Sequence, residues 1–110
     1  MESKRVATLL KARFKVGSKL GEGKIWNLSL GGLFVGTASI PPQGESVHVR
    51  FRLPEGSSVD VSGLVWWTTA TQSRTGRRHR MPGFGLRLID TNPAYEQSVR
   101  KMLEAKAVRF

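Results

Sequence analysis

The most informative stretch of this chain is Asn27-Leu28-Ser29-Leu30-Gly31-Gly32-Leu33-Phe34-Val35, in which a polar corner with two glycines separates two apolar segments. Short polar residues and glycines between apolar runs are typical of a turn that joins two β-strands. Glycine has no Cβ, so a ligand can approach the backbone closely at such a corner. The stretch therefore predicts strand, turn and strand. It leaves open both an ordinary hairpin turn and a ligand-binding corner.

Apolar and polar residues alternate on both sides of this corner. Residues 10–16 and 47–53 each place apolar side chains on one face and basic side chains on the other. A period of two is typical of antiparallel strands with one buried face. Gly21-Glu22-Gly23 and Pro54-Glu55-Gly56 are predicted turns, and Gly63 predicts a bulge or a tight bend.

A helix is predicted at the end of the chain. Asn92 can cap it, Pro93 suits its first position, and Tyr95 begins an apolar stripe with helical spacing. The sequence thus predicts an all-β (mainly β) fold, a six-stranded antiparallel sheet or barrel with one C-terminal α-helix. As a single domain, residues 1–110 divide into a basic N-terminal segment (1–8), the barrel (9–90) and the helix (93–105).

The composition favours an anionic partner. The 18 Lys and Arg outnumber the 8 Asp and Glu, which gives a formal net charge of +10. One basic cluster lies in the first twenty residues, and an Arg-rich loop is predicted at 70–82. The chain has no cysteine, which excludes disulfides and thiolate metal sites. No secretory leader or membrane-spanning segment is evident, so we expect a cytoplasmic protein without membrane insertion.

No catalytic or metal-binding constellation is visible. His48 and His79 have no carboxylate or second histidine at metal-ligand spacing, and the acidic residues are scattered. Ser29 has no evident general base. We therefore expect a protein that is not an enzyme, with no catalytic residue, no metal and no cofactor.

Taken in order, the elements resemble the PilZ domain family. The resemblance is carried by the basic N-terminal segment, the Asn-x-Ser-x-x-Gly corner, the Val65-Trp66-Trp67 strand, the strand at 83–89 and the C-terminal helix. It implies a six-stranded antiparallel barrel with a flanking helix, and binding of the bacterial second messenger cyclic di-GMP.

The family's binding motif has two halves, an Arg-x-x-x-Arg loop ahead of the first strand and an Asp/Asn-x-Ser-x-x-Gly turn. The second half is complete here as Asn27, Ser29 and Gly32, beside Gly31. In the first half Arg5 matches the second arginine, but Met1 occupies the position of the first. The resemblance therefore implies a ligand site of Arg5, Asn27, Ser29, Gly31 and Gly32, with Lys4 and Arg13 as auxiliary cationic candidates.

Two functions follow as hypotheses. The first is a signalling protein that binds cyclic di-GMP and relays it to a partner protein, in bacterial motility or surface behaviour as the family implies. The alternative is a ligand-independent adaptor that has lost cyclic di-GMP binding. Trp66, predicted to point away from the face shared by Val65 and Trp67, is a candidate anchor for a partner. Nucleic acid is the less favoured partner, and the oligomeric state, including a homodimer, stays open.

Overall fold

A closed antiparallel barrel of six strands forms the body of the protein. The computed structural model describes residues 5–69 and 82–107, with side chains through residue 104. The elements are β1 (Val6–Val16), β2 (Lys19–Leu28), β3 (Gly32–Gly36), β4 (Ser46–Arg52), β5 (Ser58–Thr68), β6 (Gly83–Asp90) and the C-terminal helix α1 (Pro93–Ala107). Around the barrel the strands follow the order β1-β2-β3-β6-β5-β4. The predicted fold is thus confirmed. Met1, Lys4, His79 and the Arg-rich segment up to residue 81 lie outside the described residues.

The alternation of apolar and polar residues builds the barrel interior. In β4, buried and exposed residues alternate without exception from Ser46 to Arg52, so Val47, Val49 and Phe51 point inward. The same pattern on the other strands adds further aliphatic and aromatic side chains to one continuous core. Burying such side chains gives about 1.5–3 kcal/mol each, which makes this core the main stabilising element of the fold.

The turn predicted at Gly21-Glu22-Gly23 is wrong, because these residues lie inside β2. The hairpin turns instead at Gly17, whose φ of 61° lies in the left-handed region. Gly21 serves packing, since a Cβ placed there would lie 2.4 Å from Cζ of the Phe14 ring. The absent side chain makes room for the Phe14 ring on the neighbouring strand. From sequence alone, this glycine is interpreted as part of a turn.

Strands β1 and β4 close the barrel over a short seam. Their register pairs only Ala12, Arg13, Phe14 and Lys15 with Phe51, Arg50, Val49 and His48. By contrast, β1 pairs with β2 along most of its length, from Val6 opposite Leu28 to Val16 opposite Lys19. The first half of β1 therefore leaves β4 and continues with β2 alone.

The predicted helix cap and apolar stripe are present in α1. The side-chain oxygen of Asn92 accepts a hydrogen bond of 2.9 Å from the backbone N–H of Tyr95, as an N-cap should. Tyr95 and Val99 are fully buried in the core, and the Tyr95 ring meets the edge of Phe51 at a centroid distance of 6.0 Å. The helix thus packs its stripe against the barrel interior. It extends to Ala107, beyond the predicted end at 105.

Gly63 marks an irregularity in the sheet, as predicted. The register of β5 against β6 shifts between Ser62 and Gly63. A Cβ on Gly63 would lie 2.3 Å from the carbonyl oxygen of Arg87. The close approach of the two backbones explains why this position has no side chain.

Candidate functional site

The corner between β2 and β3 is held together from inside by Ser29. The Ser29 hydroxyl oxygen accepts hydrogen bonds from the backbone N–H groups of Gly31 at 3.3 Å and Gly32 at 3.1 Å. The backbone N–H of Ser29 donates a hydrogen bond of 2.8 Å to the carbonyl of Gly32. These bonds close a tight turn of the kind that serine hydroxyls favour. The sequence-predicted turn is therefore confirmed.

The structure places Ser29 beneath the surface. The residue is 1% exposed, and its hydroxyl serves the turn. Its carbonyl accepts a hydrogen bond of 2.5 Å from the Tyr95 hydroxyl of α1. The observed role of Ser29 is thus to shape the corner and join it to the helix. Direct contact between its side chain and a ligand stays a prediction.

Arg5 and Asn27 form the outer part of the corner. The Arg5 guanidinium donates a hydrogen bond of 2.6 Å from Nη1 to the side-chain oxygen of Asn27. Register pairs between β1 and β2, with Ala7 opposite Asn27, bring the start of β1 to this end of β2. The two halves of the motif, which are far apart in sequence, therefore meet in the fold.

Gly32 lies directly below the guanidinium group of Arg5. A Cβ placed on Gly32 would lie 3.7 Å from Arg5 Nη2 and only 2.6 Å from the carbonyl oxygen of Leu86. The second contact alone requires glycine, because a backbone oxygen cannot easily move aside. Gly31 is exposed, and its carbonyl accepts a hydrogen bond of 2.9 Å from the N–H of Leu88. Of the two predicted glycines, Gly31 presents backbone to solvent, whereas Gly32 lets two strands approach each other.

A second cation, Arg87, lies beside this corner and was not predicted from the sequence. Arg87 of β6 is exposed and pairs in register with Gly32 on one side and Leu64 on the other. Its guanidinium carbon lies 4.6 Å from the centroid of the Trp66 ring, a cation–π contact. The alternation within residues 83–89 would have placed Arg87 on the outer face, but it does not show which strand is the neighbour.

Of the two adjacent tryptophans, Trp66 points outward as predicted, but the prediction that Trp67 shares the buried face of Val65 is wrong, because the β5–β6 register shifts between Val65 and Trp67 and leaves Trp67 outside the core. Trp66 points outward and is 55% exposed. Trp67 is half-buried and stacks on Phe34 with a centroid distance of 5.3 Å and an interplanar angle of 21°. Arg87 and Trp66 thus extend the exposed surface of the corner with a flat aromatic face and a second guanidinium.

The auxiliary cations do not all reach the corner. Arg13 lies opposite Glu22, with Nε and Oε2 4.0 Å apart, while Ala7 is the residue opposite Asn27. Six residues of strand separate these two positions, roughly 20 Å along β1. The structure therefore does not bring Arg13 to the corner. Lys4, the other auxiliary candidate, lies outside the described residues.

Chemical groups typical of catalysis or metal binding do not assemble in the part of the chain that the structure describes. Over residues 5–69 and 82–107, three or more His, Asp or Glu side chains nowhere lie close enough together to hold a metal ion. Within the same ranges, none of the helical segments has the length and apolar character needed to cross a membrane. The corner itself offers hydrogen-bond donors, one amide side chain and exposed backbone.

Comparison with known proteins agrees with this geometry. The model of the PilZ domain family matches residues 1–105. The structure of the Bacillus subtilis inhibitor of motility (MotI/DgrA) is similar, with a TM-score of 0.77 and 16% identity over 97% of this chain and 51% of that chain. The chain thus spans about half of that protein. The PilZ domain of CeSA from a cellulose synthesizing bacterium has a TM-score of 0.60 and 18% identity over 96% of this chain and 99% of that chain. No curated protein matches the chain.

Proposed function

This chain belongs to the PilZ domain family, and from that premise we propose that it is a non-catalytic signalling protein that binds cyclic di-GMP and relays the signal to a partner protein. The observation that carries the proposal is the hydrogen bond of 2.6 Å between Arg5 and Asn27 above Gly32. This bond brings together one residue from each half of the family's binding motif. The name of MotI/DgrA, an inhibitor of motility, supports motility or surface behaviour as the process.

The chemistry of the corner suits a guanine nucleotide with phosphates. The Arg5 fork can donate two parallel hydrogen bonds to the O6 and N7 edge of guanine or to phosphate oxygens. Asn27 offers an amide to a base edge, and Gly31, which is exposed and has no side chain, allows a phosphate to approach the corner closely. In this proposal Ser29 acts by holding the corner in shape. No metal, prosthetic group or catalytic residue is required.

Isothermal titration with cyclic di-GMP tests the proposal. We expect heat of binding with the wild-type chain, and an affinity about ten- to a hundredfold lower for Arg5→Ala, since one bidentate arginine–guanine contact is worth about 1–3 kcal/mol. Arg100→Ala, which removes the same charge from an exposed position of α1, is the matched control and should bind like wild type. An absence of heat with wild type at high micromolar ligand would overturn the receptor proposal.

The alternative function is a ligand-independent adaptor. It is favoured by Met1, which stands where the motif has its first arginine, so that only one arginine of the pair is present. A docking protein needs an exposed anchor, and Trp66 on the surface of β5 fits that requirement. An adaptor would give no heat with cyclic di-GMP, yet still recover its partner.

A pull-down from the native host separates these cases. Trp66→Ala should reduce recovery of a specific partner, while Leu20→Ala, which truncates another exposed apolar residue on the β1–β2 hairpin, should not. Recovery that depends on added cyclic di-GMP favours the receptor. Recovery without it favours the adaptor, and equal recovery with both variants contradicts Trp66 as the anchor.

A further inference from the structure

The outer face of β1, β2 and β4 places like charges directly opposite one another. In the register of these strands, Lys11 pairs with Lys24 and Arg13 pairs with Arg50. Like charges at directly opposite positions on neighbouring strands destabilise a sheet. Two such pairs side by side cost stability, which suggests that the positive charge is useful for another reason.

Neutralisation of this basic face is incomplete. Arg13 has Glu22 at 4.0 Å, with both side chains mostly exposed, and Arg50 donates to Asp60 at 2.8 Å. Lys11, Lys24 and Arg52 have no carboxylate within 4.0 Å among the residues that the structure describes. Three cations on adjacent strands therefore face solvent without an ion pair among the described residues, and the one carboxylate that lines the same face, Glu22, lies beside Arg13.

These cations line a groove. Lys11 and Arg13 lie on the central strand β1, Lys24 stands on β2 at one side, and Arg50 and Arg52 stand on β4 at the other. The groove is open to solvent and has a volume of about 700 Å³. The flanking strands are roughly 10 Å apart. A short chain of linked phosphates can bridge that distance.

We propose that this groove is a second ligand site, which binds a linear polyphosphate anion. Lysine supplies point charges to phosphate, and arginine supplies forked donors that match phosphate oxygens. Since the cations lie on three neighbouring strands, several of them can contact one small anion of high charge. A flat acidic surface or a bilayer would meet only the tips of the side chains.

The groove is separate from the corner that holds Arg5 and Asn27. None of the corner residues lines it, and two of its five cations belong to β4, which does not contribute to the corner. The inference therefore does not depend on cyclic di-GMP binding, and either site can fail in experiment without the other.

Calorimetric titration of the full chain with sodium tripolyphosphate at fixed ionic strength tests the proposal. We expect binding to one site, and at least a tenfold loss of affinity in the Lys11→Ala/Lys24→Ala double variant. Arg100→Ala/Lys101→Ala removes the same charge from exposed positions on α1 and should change affinity less than twofold. Arg5→Ala should also leave tripolyphosphate binding unchanged.

Thermal unfolding provides a second measurement and a check on folding. Without ligand, Lys11→Ala/Lys24→Ala should melt no lower than wild type, because it removes a repulsive pair. Tripolyphosphate should raise the melting temperature of wild type but not of this variant. The proposal is overturned by no binding to wild type, by equal losses in both double variants, or by loss in Arg5→Ala. It is likewise overturned if only phosphatidylglycerol vesicles or only duplex DNA bind the groove.

Discussion

The hydroxyl of Tyr95 donates a hydrogen bond of 2.5 Å to the backbone carbonyl of Ser29, which ties the C-terminal helix to the corner between β2 and β3. Both residues are buried. The carbonyl belongs to the residue whose side chain shapes the corner, so the position of α1 and the shape of the candidate site are linked through one bond.

Tyr95→Phe should lower the free energy of unfolding by about 1–3 kcal/mol, because it leaves a buried carbonyl without this donor. The phenyl ring retains its contact with the Phe51 ring, so the variant isolates the hydroxyl. Urea denaturation measures the loss. Wild-type stability in the variant would show that the bond contributes nothing net.

The alkaline stability of the protein should depend on Tyr95. Burial raises the pKa of its phenol, and the positive charge of Arg5 opposes this in part. Since the unfolded tyrosine ionises near pH 10 while the folded one stays protonated, stability should fall as the pH rises above about 10. Tyr95→Phe should remove that part of the decline. Tyr95 is the only tyrosine in the chain, so its ionisation can be followed by ultraviolet absorbance, and Arg5→Ala should raise its pKa further.

Gly32→Ala should destabilise the fold by about 1–3 kcal/mol, the usual cost of overpacking. The added Cβ would lie 2.6 Å from the Leu86 carbonyl, so β3 and β6 must separate. Leu20→Ala, at a position 82% exposed, is the control and should change stability by less than about 0.5 kcal/mol. Equal melting of Gly32→Ala and wild type would contradict the close approach of the strands.

Asp60→Asn should flatten the acid side of the stability profile. The hydrogen bond from Arg50 lowers the pKa of Asp60, burial opposes this, and the hydrogen bond with His48 adds to the lowering. The stabilisation is present above about pH 4 and is lost as the pH falls through the lowered pKa. At neutral pH the loss should stay below about 1 kcal/mol, because the pair is exposed. Denaturation across acidic pH checks this, and profiles of equal slope would contradict it.

The strands and the helix could be predicted from sequence because their signals are local. Alternation set the inward face of β4, and Asn92 followed by Pro93 located the start of α1. The prediction of a turn at Gly21 was wrong because this glycine makes room for the Phe14 ring on the neighbouring strand. No local sequence pattern reveals such a contact.

The candidate site was only partly predictable for the same reason. The family motif predicted Arg5 and Asn27 as site residues, and the fold brings them together. Arg87 and Tyr95 were missed because their places beside the corner follow from strand order and helix packing. The burial of Ser29 could not be predicted either, because the sequence pattern of a turn is the same whether its serine faces solvent or the core.

The short seam between β1 and β4 is, like the equally short β2–β3 ladder, a line along which the barrel can open locally. Only four residue pairs hold it, so local opening there breaks few hydrogen bonds and uncovers two strand edges. Amides of this seam should exchange with solvent before those of the β4–β5 ladder, and two opened copies could trade their first hairpins and become a domain-swapped dimer.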